Sequence, residues 1–103
     1  MDINEMKLSA ARASVLMKAL SSETRLLLLC RMVDGEISVS ELADMLEMRP
    51  ASVSQQLALL RKDALVKTRR EGQTIYYSLD GEEAQKIIAV LYQLYCQENQ
   101  QGD

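Results

Sequence analysis

The chain has 103 residues, 48% of them apolar and 26% charged, with a net charge of −3 and no histidine, tryptophan or phenylalanine. That length suits a single domain over residues 1–103 and is short for two. The missing histidine removes the commonest acid–base catalyst and metal ligand together, and the longest apolar run, Leu26–Cys30, is far below the ~18 residues of a membrane span.

The net charge conceals a strong division along the chain. Residues 1–48 carry five basic and eight acidic side chains, residues 49–70 carry six and one, and residues 71–103 carry one and six. Positive charge is thus concentrated in one segment, where it can attract phosphate while the acidic remainder limits non-specific adhesion. The start, MDINEMK, has no apolar stretch leading to a cleavage site, so a cytoplasmic protein is expected. Residues 1–5 and 99–103 read as mobile tails.

From Met6 to Leu20 the positions Met6, Ala10, Ala13, Met17 and Leu20 recur at helical spacing. The two alanines would let another helix approach closely. Ser21-Ser22 can cap a second helix, Glu23–Val33, whose segment ETRLLLLC is apolar around most of its circumference. Cys30 shares a face with Leu26, Leu29 and Val33 and is expected to point inward. Asp34-Gly35 ends that helix.

Ser38-Val39-Ser40-Glu41 has the form of a capping box, in which the Ser hydroxyl and the Glu carboxylate each satisfy a free backbone N–H. It opens a third helix, to about Leu46, with Leu42, Met45 and Leu46 expected inside. After the turn Glu47-Met48-Arg49, Pro50 suits the first turn of a fourth helix, where its missing N–H costs nothing. Two short helices joined so tightly predict a helix-turn-helix.

On the fourth helix, Val53, Leu57 and Leu60 fall on one face. The other side collects Ala51, Ser52, Gln55, Leu59 and Lys62, with Ser54 and Gln56 at its flanks. Short hydroxyls and amides suit base edges, since Gln can bind adenine bidentately and Ser can donate or accept. The segment LVKTRREGQTIYYSL then predicts two strands around Gly72, with Arg69 and Arg70 before the tip and Gln73 beyond it. A basic hairpin directly after a recognition helix is placed to grip phosphate or enter a minor groove. The last helix begins at Gly81-Glu82-Glu83. Its stripe of Ala84, Ile87, Ile88, Leu91, Leu94 and Tyr95 exceeds what one small core needs, so a homodimer through the first and last helices is expected.

Little covalent chemistry is available. Carboxylates are scattered over predicted helix surfaces and the glycines are isolated, so neither an enzyme nor a cofactor site is expected. Two cysteines remain. Cys30 can be a packed, inert thiol, whereas Cys96 projects near Gln85 and Ala89, away from the apolar stripe, where packing does not explain it. The residues alone leave inert and reactive thiols both open.

The stretches LSSETRLLLLC, SVSELADML, RPASVSQQLALLRKD and LVKTRREGQTIYYSL together resemble the ArsR/SmtB-type bacterial repressors, over roughly Ala13 to Cys96. The resemblance implies a mainly α fold with a small β-hairpin: a winged helix-turn-helix of four helices, two strands and a fifth helix. It also implies a homodimer on an inverted-repeat operator of double-stranded DNA. Members that sense metals carry cysteines at the start of the third helix or histidines on the last, and both sets are absent here. One cysteine on the second helix and one near the end of the last is similar to the sulfide- and persulfide-responsive SqrR/BigR/HlyU subgroup. That likeness implies Cys30 and Cys96 as sensor thiols, bridged by a disulfide or polysulfide when reactive sulfur species or oxidants induce release from DNA. It assigns base reading to the fourth helix around Ser52, Ser54, Gln55 and Gln56, with no metal, and the residues themselves add Arg49, Lys62, Arg69, Arg70 and Gln73 as expected DNA contacts.

Two positions depart from the family pattern: Arg49 replaces the usual Ser or Thr cap, and Ala64 the usual Gly. Two other readings stand beside this one. The cysteines can be non-sensing in a winged-helix regulator such as a virulence anti-repressor, or the chain can be a dimeric interaction module that does not bind DNA.

Overall fold

Side-chain caps decide where most of the helices begin. In the computed structural model, which describes residues 1–97, Asp2 Oδ1 accepts from the Glu5 N–H at 2.9 Å and starts α1, Ile3–Ala19. The tail expected over residues 1–5 is therefore mostly the first turn of a helix; the one expected over 99–103 lies outside the described residues. Ser22 Oγ accepts from the Arg25 N–H at 3.3 Å and starts α2, Glu23–Arg31. The second helix runs on to Asp34 only as a tighter 3₁₀ turn, Met32–Asp34, closed by Gly35 at φ 121°. Ser38 forms the capping box: its Oγ accepts from the Glu41 N–H at 3.2 Å, and its own N–H donates to Glu41 Oε1 at 3.3 Å.

The box opens α3, Val39–Leu46, and α4 follows at Pro50–Lys62 with proline in its first turn. Leu42 and Ala43 are the buried residues of α3, whereas Met45 is exposed. This corrects the inward placing of Met45, which lies more than a quarter turn from the mid-direction of the buried Leu42 and Ala43.

Both α3 and α4 end in the same left-handed stop. After α4, the Leu65 N–H donates to Leu60 O and the Ala64 N–H to Arg61 O, each at 3.0 Å. That is the Schellman pattern, and it puts Ala64 at φ 59°. A Cβ is disfavoured there, so Ala64→Gly should stabilise the protein by ~1 kcal/mol in denaturant unfolding at fixed protein concentration. No gain would mean that the unfolded chain's extra freedom cancels the relief. Glu47, at φ 53°, plays the same part in the turn between α3 and α4.

The hairpin consists of β2, Val66–Glu71, and β3, Thr74–Leu79, paired in register from Val66↔Leu79 to Glu71↔Thr74. Gly72, at φ 63°, takes the first of the two turn positions, where a short hairpin needs positive φ. Sequence reading misses a third strand, β1 at Ile37–Ser38, which pairs antiparallel with β3 and gives the order β1-β3-β2. Two residues are too few to carry a strand periodicity. The strand anchors the hairpin to the start of α3.

The chain closes with α5, Glu82–Leu91, which widens into a π-helical turn at Tyr92–Gln97. The core gathers Leu28, Leu29, Ile37, Leu42, Val53, Leu57, Leu60, Val66 and Ile88. It draws little from α1. Ile3, Met6, Leu8, Val15 and Met17 are exposed, as are Val90, Leu94 and Tyr95 at the other end of the chain. The Cα radius of gyration, 15.1 Å, accordingly exceeds the ~13 Å of a compact chain of about 100 residues.

Candidate nucleic-acid interface and thiol pair

On α4 the apolar face of Val53, Leu57 and Leu60 is fully buried, which fixes the direction of the opposite side. Arg49, Ser52, Ser54, Gln55 and Lys62 are exposed there, and with Leu59 they form a face of small polar and apolar groups at the mouth of the two-helix unit. No side chain caps the start of α4 and no acidic residue stands in its first turn, whereas Arg61 and Lys62 occupy its last. Pro50 has no N–H, and the Ser52 and Val53 N–H groups donate to Arg49 O at 3.0 and 3.1 Å, so the helix start offers an anion little beyond the Ala51 N–H and the dipole.

Gln56 is turned aside from this face. It is half-buried, and its Oε1 accepts from Arg25 Nη1 at 3.5 Å. The same guanidinium donates from Nε to Ala19 O at 2.8 Å and from Nη2 to Lys18 O at 3.4 Å. Arg25 thus ties the last carbonyls of α1 to the flank of α4. Sequence reading passes over this residue, because an arginine in a first helical turn carries no sign of a partner 31 positions away.

The wing arginines differ in the same way. Arg70 and Gln73 are exposed at the hairpin tip. Arg69 is engaged by two carboxylates. Its Nη2 donates to Glu36 Oε1 at 2.6 Å, its Nε to Glu36 Oε2 at 3.0 Å, and its Nη1 to Glu71 Oε2 at 3.0 Å. Its guanidinium carbon lies 4.8 Å from the centre of the Tyr76 ring, its cross-strand neighbour. The hydrogen bonds from Arg69 hold the Glu36 carboxyl below the usual carboxylate range. A carboxylate shifted down keeps its interaction above its unfolded value and loses it on acidification, so this pair is intact at neutral pH.

Both cysteines are free and half-buried. Cys30 packs against the core beside Leu26 and Val33, as its helical face predicts. Gln85 and Ala89 of α5, towards which Cys96 projects in an unbroken helix, are exposed but border an open groove. Together with Met32, Val33, Lys67, Ser78 and Leu79 they line this groove of about 380 Å³ against the end of α2. Burial first, and then the charge of Cys96, push the Cys30 thiol above its ordinary value. In Cys96→Ser the second cause disappears and the first remains. The pH midpoint of Cys30 alkylation should therefore fall but stay above that of a free cysteine; an unchanged or higher midpoint would contradict the pairing. Among the described residues, no group of three or more His, Cys, Asp or Glu side chains is placed to hold a metal ion. No helix among them is long and apolar enough to cross a membrane.

This arrangement of helices, wing and exposed polar face has relatives. The model of the bacterial regulatory protein arsR family matches residues 22–68. The transcriptional activator HlyU of Vibrio cholerae is 47% identical over 100 residues, covering 97% of this chain and 93% of the relative.

The chain belongs to the arsR family.

Among solved structures, reduced HlyU from Vibrio cholerae superimposes with a TM-score of 0.88 at 46% identity, covering 91% of this chain and 99% of that one. The transcriptional repressor BigR of Xylella fastidiosa gives 0.81 at 36%, covering 93% and 98%. A homodimeric winged helix-turn-helix DNA-binding domain from Mycobacterium bovis gives 0.76 at 28%, covering 91% and 86%. This arsR-family chain is accordingly a DNA-binding transcriptional regulator and not an enzyme.

Proposed function

We propose that the protein is a homodimeric, cytoplasmic repressor that leaves an inverted-repeat operator when reactive sulfur species or oxidants join Cys30 to Cys96, and so controls genes for sulfur oxidation or detoxification. The observation that carries this reading is the presence of two free, half-buried thiols. One lies on the helix before the helix-turn-helix, the other on the helix after the wing. A bond between them would draw the ends of α2 and α5 together and bias the spacing of two recognition helices, which must fit successive major grooves.

The chemistry balances with a persulfide as oxidant. One cysteine thiolate attacks the outer sulfur of R–S–S–H, forming Cys–S–S–H and expelling R–S⁻, which takes up a proton. The second cysteine attacks the inner sulfur of that product, forming Cys–S–S–Cys and releasing hydrosulfide. Overall, two thiols and one persulfide give one disulfide, one R–SH and one H₂S. A longer bridge consumes one further persulfide for each added sulfur. Because the thiolate is the nucleophile, the raised Cys30 value predicts faster bridging as pH rises.

Base reading falls to Ser52, Ser54 and Gln55, and phosphate contact to Arg49, Lys62, Arg70 and Gln73. Gln56 and Arg69, held by Arg25 and Glu36, reach DNA only by giving up those partners. Dimerisation is supported by the exposed apolar residues of α1 and of the chain's other end, and by the homodimeric relative from Mycobacterium bovis. Intact mass spectrometry after treatment with a persulfide donor tests the covalent half. The expected product has lost two hydrogens, or gained whole sulfurs, with both cysteines protected from alkylation; an unchanged mass with both still alkylated would refute it. HlyU's description as an activator favours a second reading, in which this protein raises transcription by displacing another from a promoter, with inert cysteines. Full regulation in the double Cys→Ser variant would select it.

A further inference from the structure

The sequence marks Arg69 as a cation for DNA, yet it is the most heavily engaged side chain of the wing. Glu36 lies immediately before β1 and Arg69 on β2, with β3 running between those strands. Strands two places apart are ~10 Å apart, a gap that only long side chains can span. In the register Ser38↔Tyr76↔Arg69 these residues share one face of the sheet, so the guanidinium crosses β3 above Tyr76 to reach Glu36. Glu71 holds its other edge.

We propose that Glu36 is a positioning residue for DNA recognition: through Arg69 it straps the wing to the helical core and so fixes where the hairpin tip meets DNA. A free two-stranded hairpin is marginally stable, and β1 pairs with only one residue at each of two β3 positions. The strap adds a two-pronged anchor from β1's end of the sheet to the outer strand. Only four residues, Met32–Gly35, separate Glu36 from α2, and they form a tight 3₁₀ turn closed by the Gly35 N–H on Met32 O at 3.1 Å. Glu36 is therefore held by the core rather than by a mobile loop. The planar fork of Arg69 suits this task better than an ammonium would. Arg70, without such partners among the described residues, is left as the phosphate-seeking cation of the tip.

The proposal rests on the DNA-reading face described above, and its test separates the two. Full-length reduced protein would be titrated with an operator selected from random duplexes and with a scrambled duplex, over a range of salt. Glu36→Gln, which keeps size and removes charge, should cut the operator-to-scrambled affinity ratio about tenfold. It should also steepen the salt dependence by about one phosphate contact, because Arg69 is released to neutralise one. The reversed pair Glu36→Arg with Arg69→Glu should restore most of the ratio. A Glu36→Gln protein with the wild-type ratio and slope overturns the proposal, as does a reversed pair no better than the single variant. A wild-type protein that does not distinguish the two duplexes overturns the DNA-reading face, and this proposal with it.

Discussion

Leu57→Ala should destabilise the protein by ~2–5 kcal/mol, the range for emptying a leucine-sized space in a closed core. Leu57 is 0% exposed and sits at the centre of α4's inner face between Val53 and Leu60. The cavity would open under the recognition helix itself, so operator binding should weaken along with stability. Thermal unfolding at fixed concentration should show a loss of roughly 4–8 °C for each kcal/mol. Leu59, two positions on and 46% exposed, is the control: Leu59→Ala should change stability by no more than ~0.5 kcal/mol. Equal losses in the two variants would mean that α4 is rotated from the orientation described.

Gln55→Ala and Arg70→Ala should separate base reading from phosphate contact. Gln55 is exposed on the polar face of α4, and an amide there can make a bidentate contact with adenine. Its loss should relax preference at one operator position by ~1–3 kcal/mol while leaving other positions alone. Arg70→Ala should weaken all duplexes alike and flatten the salt dependence by about one contact. Competition binding against an operator library, repeated at several salt concentrations, resolves both. A uniform loss for Gln55→Ala, or a position-specific one for Arg70→Ala, would reverse the roles assigned here.

The features legible in the sequence are those whose causes are local. Ser38 and Glu41 are three residues apart, Pro50 marks its own helix start, and the spacing of Val53, Leu57 and Leu60 reveals both faces of α4. Gln56 and Arg69 read as ligands of DNA because their nearest chain neighbours give no reason to think otherwise. The groups that hold them, Arg25 and Glu36, lie 31 and 33 residues away in the chain. Only folding brings them together. The strand at Ile37–Ser38 is similarly non-local, since its two residues acquire strand character from Tyr76 and Tyr77.

Cys96 illustrates the same limit. Helical projection places it with Gln85 and Ala89, off the apolar stripe, but the sequence does not disclose that this side of α5 lines a groove shared with Met32 and Val33. Nor does it announce the π-helical turn at Tyr92–Gln97, which rotates the final residues relative to a continued α-helix. A position that looks unexplained by packing becomes a half-buried thiol.

The claim that a bond between these thiols governs DNA occupancy is tested most directly by operator affinity before and after bridging. Fluorescence anisotropy would follow a labelled operator duplex titrated with reduced protein, with persulfide-treated protein whose bridge has been verified by mass, and with Cys96→Ser given the same treatment. Bridging should weaken operator binding at least tenfold, reduction with dithiothreitol should restore it, and Cys96→Ser should show no loss. A fully bridged protein that binds the operator as tightly as the reduced one would contradict the claim.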